Sequence, residues 1–454
     1  MDIINPANEA IIASLKEHGN EFITIKYKQL LQGQKEWSSL DVNKRIQAIS
    51  NFSELLSKEI NNLAEVLTSE TGKPLGQSIN EIKGARKRVQ FFIEHSEKWL
   101  KDETVSSDDQ MKERISYEPL GVIANISAWN YPYLIGVNVF IPALIGGNTV
   151  LYKPSEYATL TGLAIQELFH KAGIPTNVFA AVIGGVNAGQ ALLDLPLDGY
   201  FFTGSNKTGA YIYQEVAKKM VPCQLELGGK DPLYVTDDNT DIAGIAAAAA
   251  EGAFYNNGQS CCSVERIYVH ADVYEPFVEA FVKEVSNYKM GDPMDKDTFI
   301  GPLTRQQQTD VLEAQISDAV EKGAKVLIGG KKGASPYYFE PTILTDVDHS
   351  MDLMKEESFG PLIGIQRVSS DDEAISLMRD TEYGLTASVY TRDKERAEKI
   401  MNAMDTGSVY WNCCDRVSPN LPWSGRNNSG LGATLSYHGI RAFVQPKSYH
   451  FKTP

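Results

Sequence analysis

The sequence predicts an α/β protein of two lobes, and three observations carry that prediction. Short apolar runs of strand length alternate with helix-length amphipathic segments from residue 121 onward, the pattern of crossover units on a parallel sheet. That alternation is interrupted by a glycine-containing turn near residues 227–230 and then resumes. The chain has 454 residues, enough for two or three domains with ample cores at roughly 150 residues each.

Taken in order, the first hundred residues read as helical. Segments 37–66 and 79–100 space apolar residues by three and four with charges between them. Residues 101–112 are rich in Asp, Ser and Glu and read as a solvated turn. Runs at 121–126, 149–152, 178–183 and 199–202 suit buried strands, separated by helical segments at 158–172, 188–193 and 208–220. In the second block an Ala-rich helix at 242–255 has Asp238 or Asn239 as candidate cap. A strand at 267–270, helices near 273–289 and 306–322, and strands at 324–328, 362–368 and 388–391 follow. The tail 444–451 alternates weakly, as an edge strand does. Clefts between such lobes are where ligands bind.

Composition removes several classes of function. Hydrophobic residues form 43% and charged residues 22% of the chain, near globular averages and unlike a disordered or fibrous protein. A net charge of −15 argues against nucleic acid as a partner, because phosphate neutralisation needs surplus Lys and Arg. The five cysteines include two vicinal pairs, a poor disulfide framework that points to a reducing compartment. No Cys-x-x-Cys spacing indicates zinc, so no metal is expected. The first residues lack the basic and apolar regions of a signal peptide. The longest apolar stretch, 131–152, is broken by Pro132, Asn138, Pro142 and Asn148, so it reads as core rather than a membrane span. A soluble, cytoplasmic protein is the expectation.

Five stretches hold residues suited to chemistry. Asn256-Asn257-Gly258-Gln259-Ser260-Cys261-Cys262 follows a long helix with a polar turn, which can present sulfur to a cleft, although most cysteines are inert packing. Leu225-Glu226-Leu227-Gly228-Gly229-Lys230 places a carboxylate at an apolar strand end. It is either salt-bridged to a neighbour such as Lys230 or a general base with a raised pKa. Trp129-Asn130-Tyr131-Pro132 offers a side-chain amide that can donate to an oxyanion, or simply a turn residue. Phe202-Thr203-Gly204-Ser205 and the following helix start, which includes Gly209, offer backbone N–H groups to a pyrophosphate, without a Gly-x-Gly-x-x-Gly or Walker pattern. Lys153-Pro154-Ser155-Glu156 follows a strand and is either a solvated loop or a pair of charged side chains within reach of ribose hydroxyls.

Together with Glu357-Ser358-Phe359-Gly360-Pro361, Asn5-Pro6-Ala7 and the stretch 407–412, these motifs in this order resemble the aldehyde dehydrogenase superfamily over nearly the whole chain. The resemblance implies a role for each matching position. Cys261 matches the nucleophile, Asn130 the oxyanion donor acting with the Cys261 backbone N–H, and Glu226 the general base. Lys153 and Glu156 match binders of the adenosine ribose, Gly204 and Ser205, with Gly209 beyond them, the pyrophosphate site, and Glu357 the residue holding the nicotinamide ribose. Phe359 matches a residue packing beside the nicotinamide, and Trp129 is counted with the cofactor-binding residues. The implied reaction is thiolate addition to an aldehyde, hydride loss to NAD, and hydrolysis of the thioester. Glu156 favours NAD, with NADP as the weaker alternative, since a carboxylate repels a 2′-phosphate.

The chain departs from the family pattern where substrate binds. Pro422-Trp423-Ser424-Gly425 stands in place of Pro-Phe-Gly-Gly, and Asn138-Val139 in place of a Trp-Lys pair that assists proton transfer. Tyr131, Asn138, Ser260, Cys262 and Trp423 are the candidate pocket walls. Transfer of the acyl group to coenzyme A is disfavoured by Glu226, and a non-catalytic role by the joint presence of Cys261, Asn130 and Glu226. The implied architecture is a Rossmann-like NAD-binding domain (1–100 and 119–227), an α/β catalytic domain (228–430) and a small bridging β-sheet (101–118 and 443–454). Such a bridge implies a homodimer or homotetramer.

Overall fold

The computed structural model describes residues 1–333 and 335–452. A six-stranded sheet runs in the order Gly430–Leu431, Cys223–Glu226, Gly199–Thr203, Val122–Ile126, Thr149–Lys153, Phe179–Ala181. All its pairings are parallel except the first, which is antiparallel. Strands Val122–Ile126 and Thr149–Lys153 are buried at every position, as expected where helices cover both faces. Helices Asn20–Ser39, Pro132–Ile145, Thr159–Lys171, Val186–Asp194 and Asn206–Ala217 supply that cover and the crossovers.

A second sheet of seven strands runs Lys325–Ile328, Thr342–Thr345, Leu362–Val368, Val264–His270, Asp231–Val235, Thr386–Tyr390, Ser408–Trp411. It too is parallel, apart from the antiparallel pairing of its first two strands. Only residues 227–230 separate the end of Cys223–Glu226 in one sheet from the start of Asp231–Val235 in the other. Two buried clusters built on Tyr234 and Leu233, whose side chains point to opposite faces, form its cores. A third sheet of three antiparallel strands, Val444–Lys452, Met111–Pro119 and Glu103–Ser107, stands apart from these.

Some local expectations are corrected. Residues 101–112 are not a turn. They contain the strand Glu103–Ser107, exposed at every position, so no hydrophobic alternation could reveal it. The Ala-rich helix Ile242–Phe254 is capped by Asp241, whose side chain accepts from the Gly244 N–H at 3.0 Å. Asp238 instead accepts from the Thr391 hydroxyl at 2.9 Å, and Asn239 donates to the Tyr390 carbonyl. The apolar stretch at 131–152 is core, as read, and holds the helix Pro132–Ile145, buried on almost every side. Among the described residues no helix is long and apolar enough to cross a membrane. The last two residues assigned to the bridge, Thr453 and Pro454, lie outside the described residues.

Candidate active site

In the six-stranded sheet, the crossovers leave Val122–Ile126 in one direction and Gly199–Thr203 in the other. That reversal opens a crevice at the carboxyl ends of the two strands, the place where α/β sheets bind ligands. A cavity of about 310 Å³ lies there, and its walls include Trp129, Asn130, Gly204, Ser205, Glu226, Cys261, Glu357 and Phe359. Eight of the residues picked out in the sequence therefore share one cavity.

Cys261 is carried by an unusual turn. Asn256, Asn257 and Gly258 follow one another at φ of 54°, 59° and 70°, left-handed conformations that cost a non-glycine residue about 1 kcal/mol or more each. Side-chain hydrogen bonds hold them. Asn257 donates to the Pro302 carbonyl at 2.9 Å and accepts from the Gly301 N–H at 2.9 Å. Asn256 donates to the carbonyls of Asn130 and Gln259, and Gln259 accepts from the Thr304 N–H at 3.0 Å. A Cβ at Gly258 would overlap the Gly360 carbonyl oxygen. The turn thus fixes the cysteine's position from both sides. Cys261 is a free, half-buried thiol, and its backbone N–H has no acceptor among the described residues.

Asn130 is buried, and its Nδ2 donates to the Gln259 carbonyl at 3.1 Å, tying it to the cysteine turn. Its Oδ1 is enclosed without a partner among the described residues. Its main chain is held by a buried ion pair that sequence reasoning missed. Lys73 bonds Glu81 and also donates to the Asn130 carbonyl at 2.6 Å. Glu81 in turn accepts from the Tyr133 N–H at 2.8 Å, occupying the exposed donors at the start of Pro132–Ile145. Burial of Lys73 is thereby offset by two charge-assisted bonds that pin the Asn130 turn.

Glu226 ends the strand Cys223–Glu226 in the cavity wall. The proposed partner Lys230 does not reach it, for Lys230 bonds Glu265 at 2.6 Å and Ser358 at 3.1 Å. Among the described residues Glu226 accepts only from the Thr434 hydroxyl at 3.2 Å and weakly from Gln224, and its second carboxylate oxygen has no partner. Burial therefore pushes its carboxyl up to about 8. An unpaired carboxylate beside a thiol and an amide donor can take a proton from water or substrate.

The remaining cavity residues suit a pyridine dinucleotide. Ser205 caps Asn206–Ala217, accepting from the Thr208 N–H, so the first N–H groups of that helix are presented toward the crevice. A Cβ at Gly209 would come within 2.5 Å of Leu227, so glycine there lets the helix approach the strand end, and one at Gly204 would crowd the Phe202 ring. Glu357 accepts from the Gly229 N–H at 3.1 Å, and burial pushes its carboxyl up to about 8. A Cβ at Gly228 would overlap that carboxylate, so the glycine clears space for it. Phe359, at φ 46°, meets Trp129 edge-on with ring centres 5.5 Å apart. Lys153 is buried at the end of Thr149–Lys153, with its Nζ 3.5 Å from Glu156. Glu156 does not line the cavity of Cys261. It lines a second cavity of about 320 Å³ that Glu17, Tyr157 and Gly185 also border.

Of the substrate-side candidates, Ser260 touches Cys262 directly. The Cys262 thiol, buried, donates to Asp415 at 3.0 Å and lies 3.5 Å from the Ser260 hydroxyl. The adjoining Cys261 sulfur and burial push Cys262 up, which favours Cys261 as the reactive member. Burial likewise pushes Asp415 well above the carboxylate range. Trp423 is buried in the same apolar cluster as Cys262, and Cys261 borders that cluster. The Tyr131 ring lies under Lys73 Nζ, 3.9 Å from its centre. Asn138 is buried, and its Oδ1 accepts from Arg88 at 3.0 Å. Lys73, Glu81, Arg88 and Asp415 were all missed in the sequence. Two of these had a legible sign: Glu81 and Arg88 fall on the stripe of Ile82, Ala85 and Val89, a place charged residues avoid unless they have work there.

Comparison with known proteins agrees with this geometry. The aldehyde dehydrogenase family description matches residues 1–449. The succinate-semialdehyde dehydrogenase [NADP(+)] of Deinococcus radiodurans is 35% identical over 92% of this chain and 87% of that protein. The chloroplastic betaine aldehyde dehydrogenase of Beta vulgaris is 33% identical over 98% of this chain and 91% of its own length. Among solved structures, an E. coli NADP-dependent enzyme superposes with a TM-score of 0.97 at 32% identity, covering 100% of this chain and 94% of that one. An indole-3-acetaldehyde dehydrogenase complexed with NAD+ gives 0.96 at 30%, covering 100% and 93%. The chain belongs to the aldehyde dehydrogenase family, enzymes that oxidise aldehydes with a pyridine nucleotide.

Proposed function

We propose that this enzyme oxidises an aldehyde to a carboxylic acid through a covalent intermediate on Cys261, with NAD as the preferred hydride acceptor. One observation carries the reading: Cys261, Asn130 and Glu226 border a single cavity at the switch point of the cofactor-type sheet. The Cys261 thiolate adds to the carbonyl carbon, since an aldehyde hydrogen leaves as hydride only from a tetrahedral centre. The Asn130 amide and the free Cys261 N–H hold the resulting oxyanion. The bound nicotinamide supplies the hydride acceptor. Collapse of the oxyanion leaves a thioester on Cys261. Glu226 then takes a proton from water, which attacks the thioester and frees the acid and the thiolate. Val139 is buried and apolar, so the proton on Glu226 has no lysine at that position to receive it.

Two carboxylates support NAD over NADP. Glu156 and Glu17 border the same cavity beside Lys153, and a 2′-phosphate placed there meets like charge. On this reading residues 1–100 and 119–227 form the cofactor domain, 228–430 the catalytic domain, and 101–118 with 443–454 the bridge. The edge strands Glu103–Ser107, Val444–Lys452 and Ser408–Trp411 support a homodimer or homotetramer, because unpaired edges recruit partners. Five unpaired thiols support a cytoplasmic setting. The test is NADH formation with a simple aldehyde by the parent and by Cys261→Ala. Loss of turnover with NAD binding retained supports the reading, and an active Cys261→Ala refutes it.

A further inference from the structure

The chemistry above leaves one buried cation unused. Arg88, on the helix Leu75–Leu100, is 9% exposed. Its Nη1 donates to the Leu134 carbonyl at 3.1 Å and to Asn138 Oδ1 at 3.0 Å. Its Nε and Nη2 have no acceptor among the described residues, and neither is sealed within packing. No carboxylate lies within ion-pair distance of the guanidinium among the described residues.

The other buried cations differ. Lys73 is paired with Glu81, Lys230 with Glu265 and Lys153 with Glu156. Arg45 gives its Nε and Nη1 to three carbonyls, those of Ile145, Ser38 and Leu40, and is influenced by the charge of Asp41, whereas Arg266 is held at all three nitrogens by the carbonyls of Lys230, Leu377 and Met378 and the Tyr268 hydroxyl. An unpaired buried ion is costly to maintain, so its retention calls for a counter-charge that arrives from outside.

The position of Arg88 says where that charge would arrive. Phe91 and Phe92, one turn on, share an apolar cluster with Cys262 and Trp423, which Cys261 and Val417 border. The acidic groups close enough to act on the charge of Arg88 are Cys262, Glu81, Cys261 and Glu226. It takes no part in lining the cofactor-side cavity. Glu81 is already spent on Lys73, and burial drives Asp415 and Glu226 toward their neutral forms. The surroundings of the two thiols on this side therefore keep one uncompensated positive charge.

We propose that Arg88, aimed by Asn138, is a specificity-determining residue that binds the carboxylate of an aldehyde substrate bearing an acid group remote from its carbonyl. A guanidinium with two free donors matches a carboxylate in charge and geometry. The proposal rests on the reaction assigned above and goes further by naming the substrate class.

The experiment compares kcat/KM for an aldehyde with a terminal carboxylate, its neutral n-alkyl counterpart of equal length, and an ω-ammonium counterpart. A short homologous series of each is used. The parent is expected to favour the carboxylated aldehyde over the neutral one roughly 10- to 100-fold, chiefly through KM, and to reject the ammonium. In Arg88→Met that ratio falls to near one, and in Arg88→Lys it keeps an intermediate value. A parent ratio near one overturns the proposal without needing any variant to fold. So does a ratio unchanged in Arg88→Met, which would make the guanidinium an electrostatic or structural support. Failure of the parent to oxidise any aldehyde would instead overturn the reaction assignment itself.

Discussion

Replacing Glu226 with Gln separates the two halves of the reaction. The carboxyl ordinarily titrates at 4.5 and is pushed up to about 8 by burial. At pH 7 it is ionised in about one molecule in ten, and at pH 8 in about half. If thioester hydrolysis limits turnover, kcat rises roughly fivefold between those pH values and levels off above them. Glu226→Gln should lower kcat by about 10²- to 10⁴-fold and erase that pH limb. Acylation does not need the carboxylate, so stopped-flow should still show a burst of NADH approaching one per active site. Stability gives an independent readout. A carboxyl whose pKa is raised on folding contributes stability that is fully present below its unfolded value, near 4, and lost as pH rises through about 8. A rise from 4.5 to about 8 is at most about 5 kcal/mol, and water in the cavity screens part of it. The parent should therefore lose Tm relative to Glu226→Gln between pH 5 and 9. Parent-like steady-state turnover in the variant, or a pH limb that survives the substitution, would refute the assignment of Glu226 as base.

Three further outcomes follow from the geometry. Asn130→Ala removes the oxyanion donor and should cost about 10²- to 10³-fold in kcat with little change in cofactor affinity, read by steady-state kinetics and NADH fluorescence titration. Lys73→Met strands Glu81 in the core and frees the Asn130 carbonyl, so it should destabilise the fold by about 3 kcal/mol in denaturant titrations and lower kcat as well. Glu156→Gln removes one of the two carboxylates near the Lys153 site, and the ratio of kcat/KM for NAD over NADP should fall by about tenfold.

Much of the fold was legible because buried parallel strands announce themselves. The runs at 149–152 and 199–202 are apolar at nearly every position, and the structure buries them almost completely. Glu103–Ser107 was illegible for the opposite reason, being exposed throughout and polar. The helix Pro132–Ile145 is apolar all round and holds Pro142, so it shows core without showing period. Cys261, Asn130 and Glu226 could be read because each sits in a local motif at an element end. The charges behind them could not be read in the same way. Lys73 finds the Asn130 carbonyl 57 residues away, and Glu226 finds Thr434 rather than its neighbour Lys230. Such pairings are decided by topology: the apolar stripe marks Glu81 as buried, but nothing local names its partner.

The central claim is that one sulfur, at position 261, carries the acyl group. It is tested by acid-quenching Glu226→Gln after mixing with aldehyde and NAD, and locating the added acyl mass by peptide mass spectrometry. The account predicts the acyl mass on Cys261 with Cys262 unmodified. Acylation of Cys262, or no covalent species despite NADH formation, would contradict it.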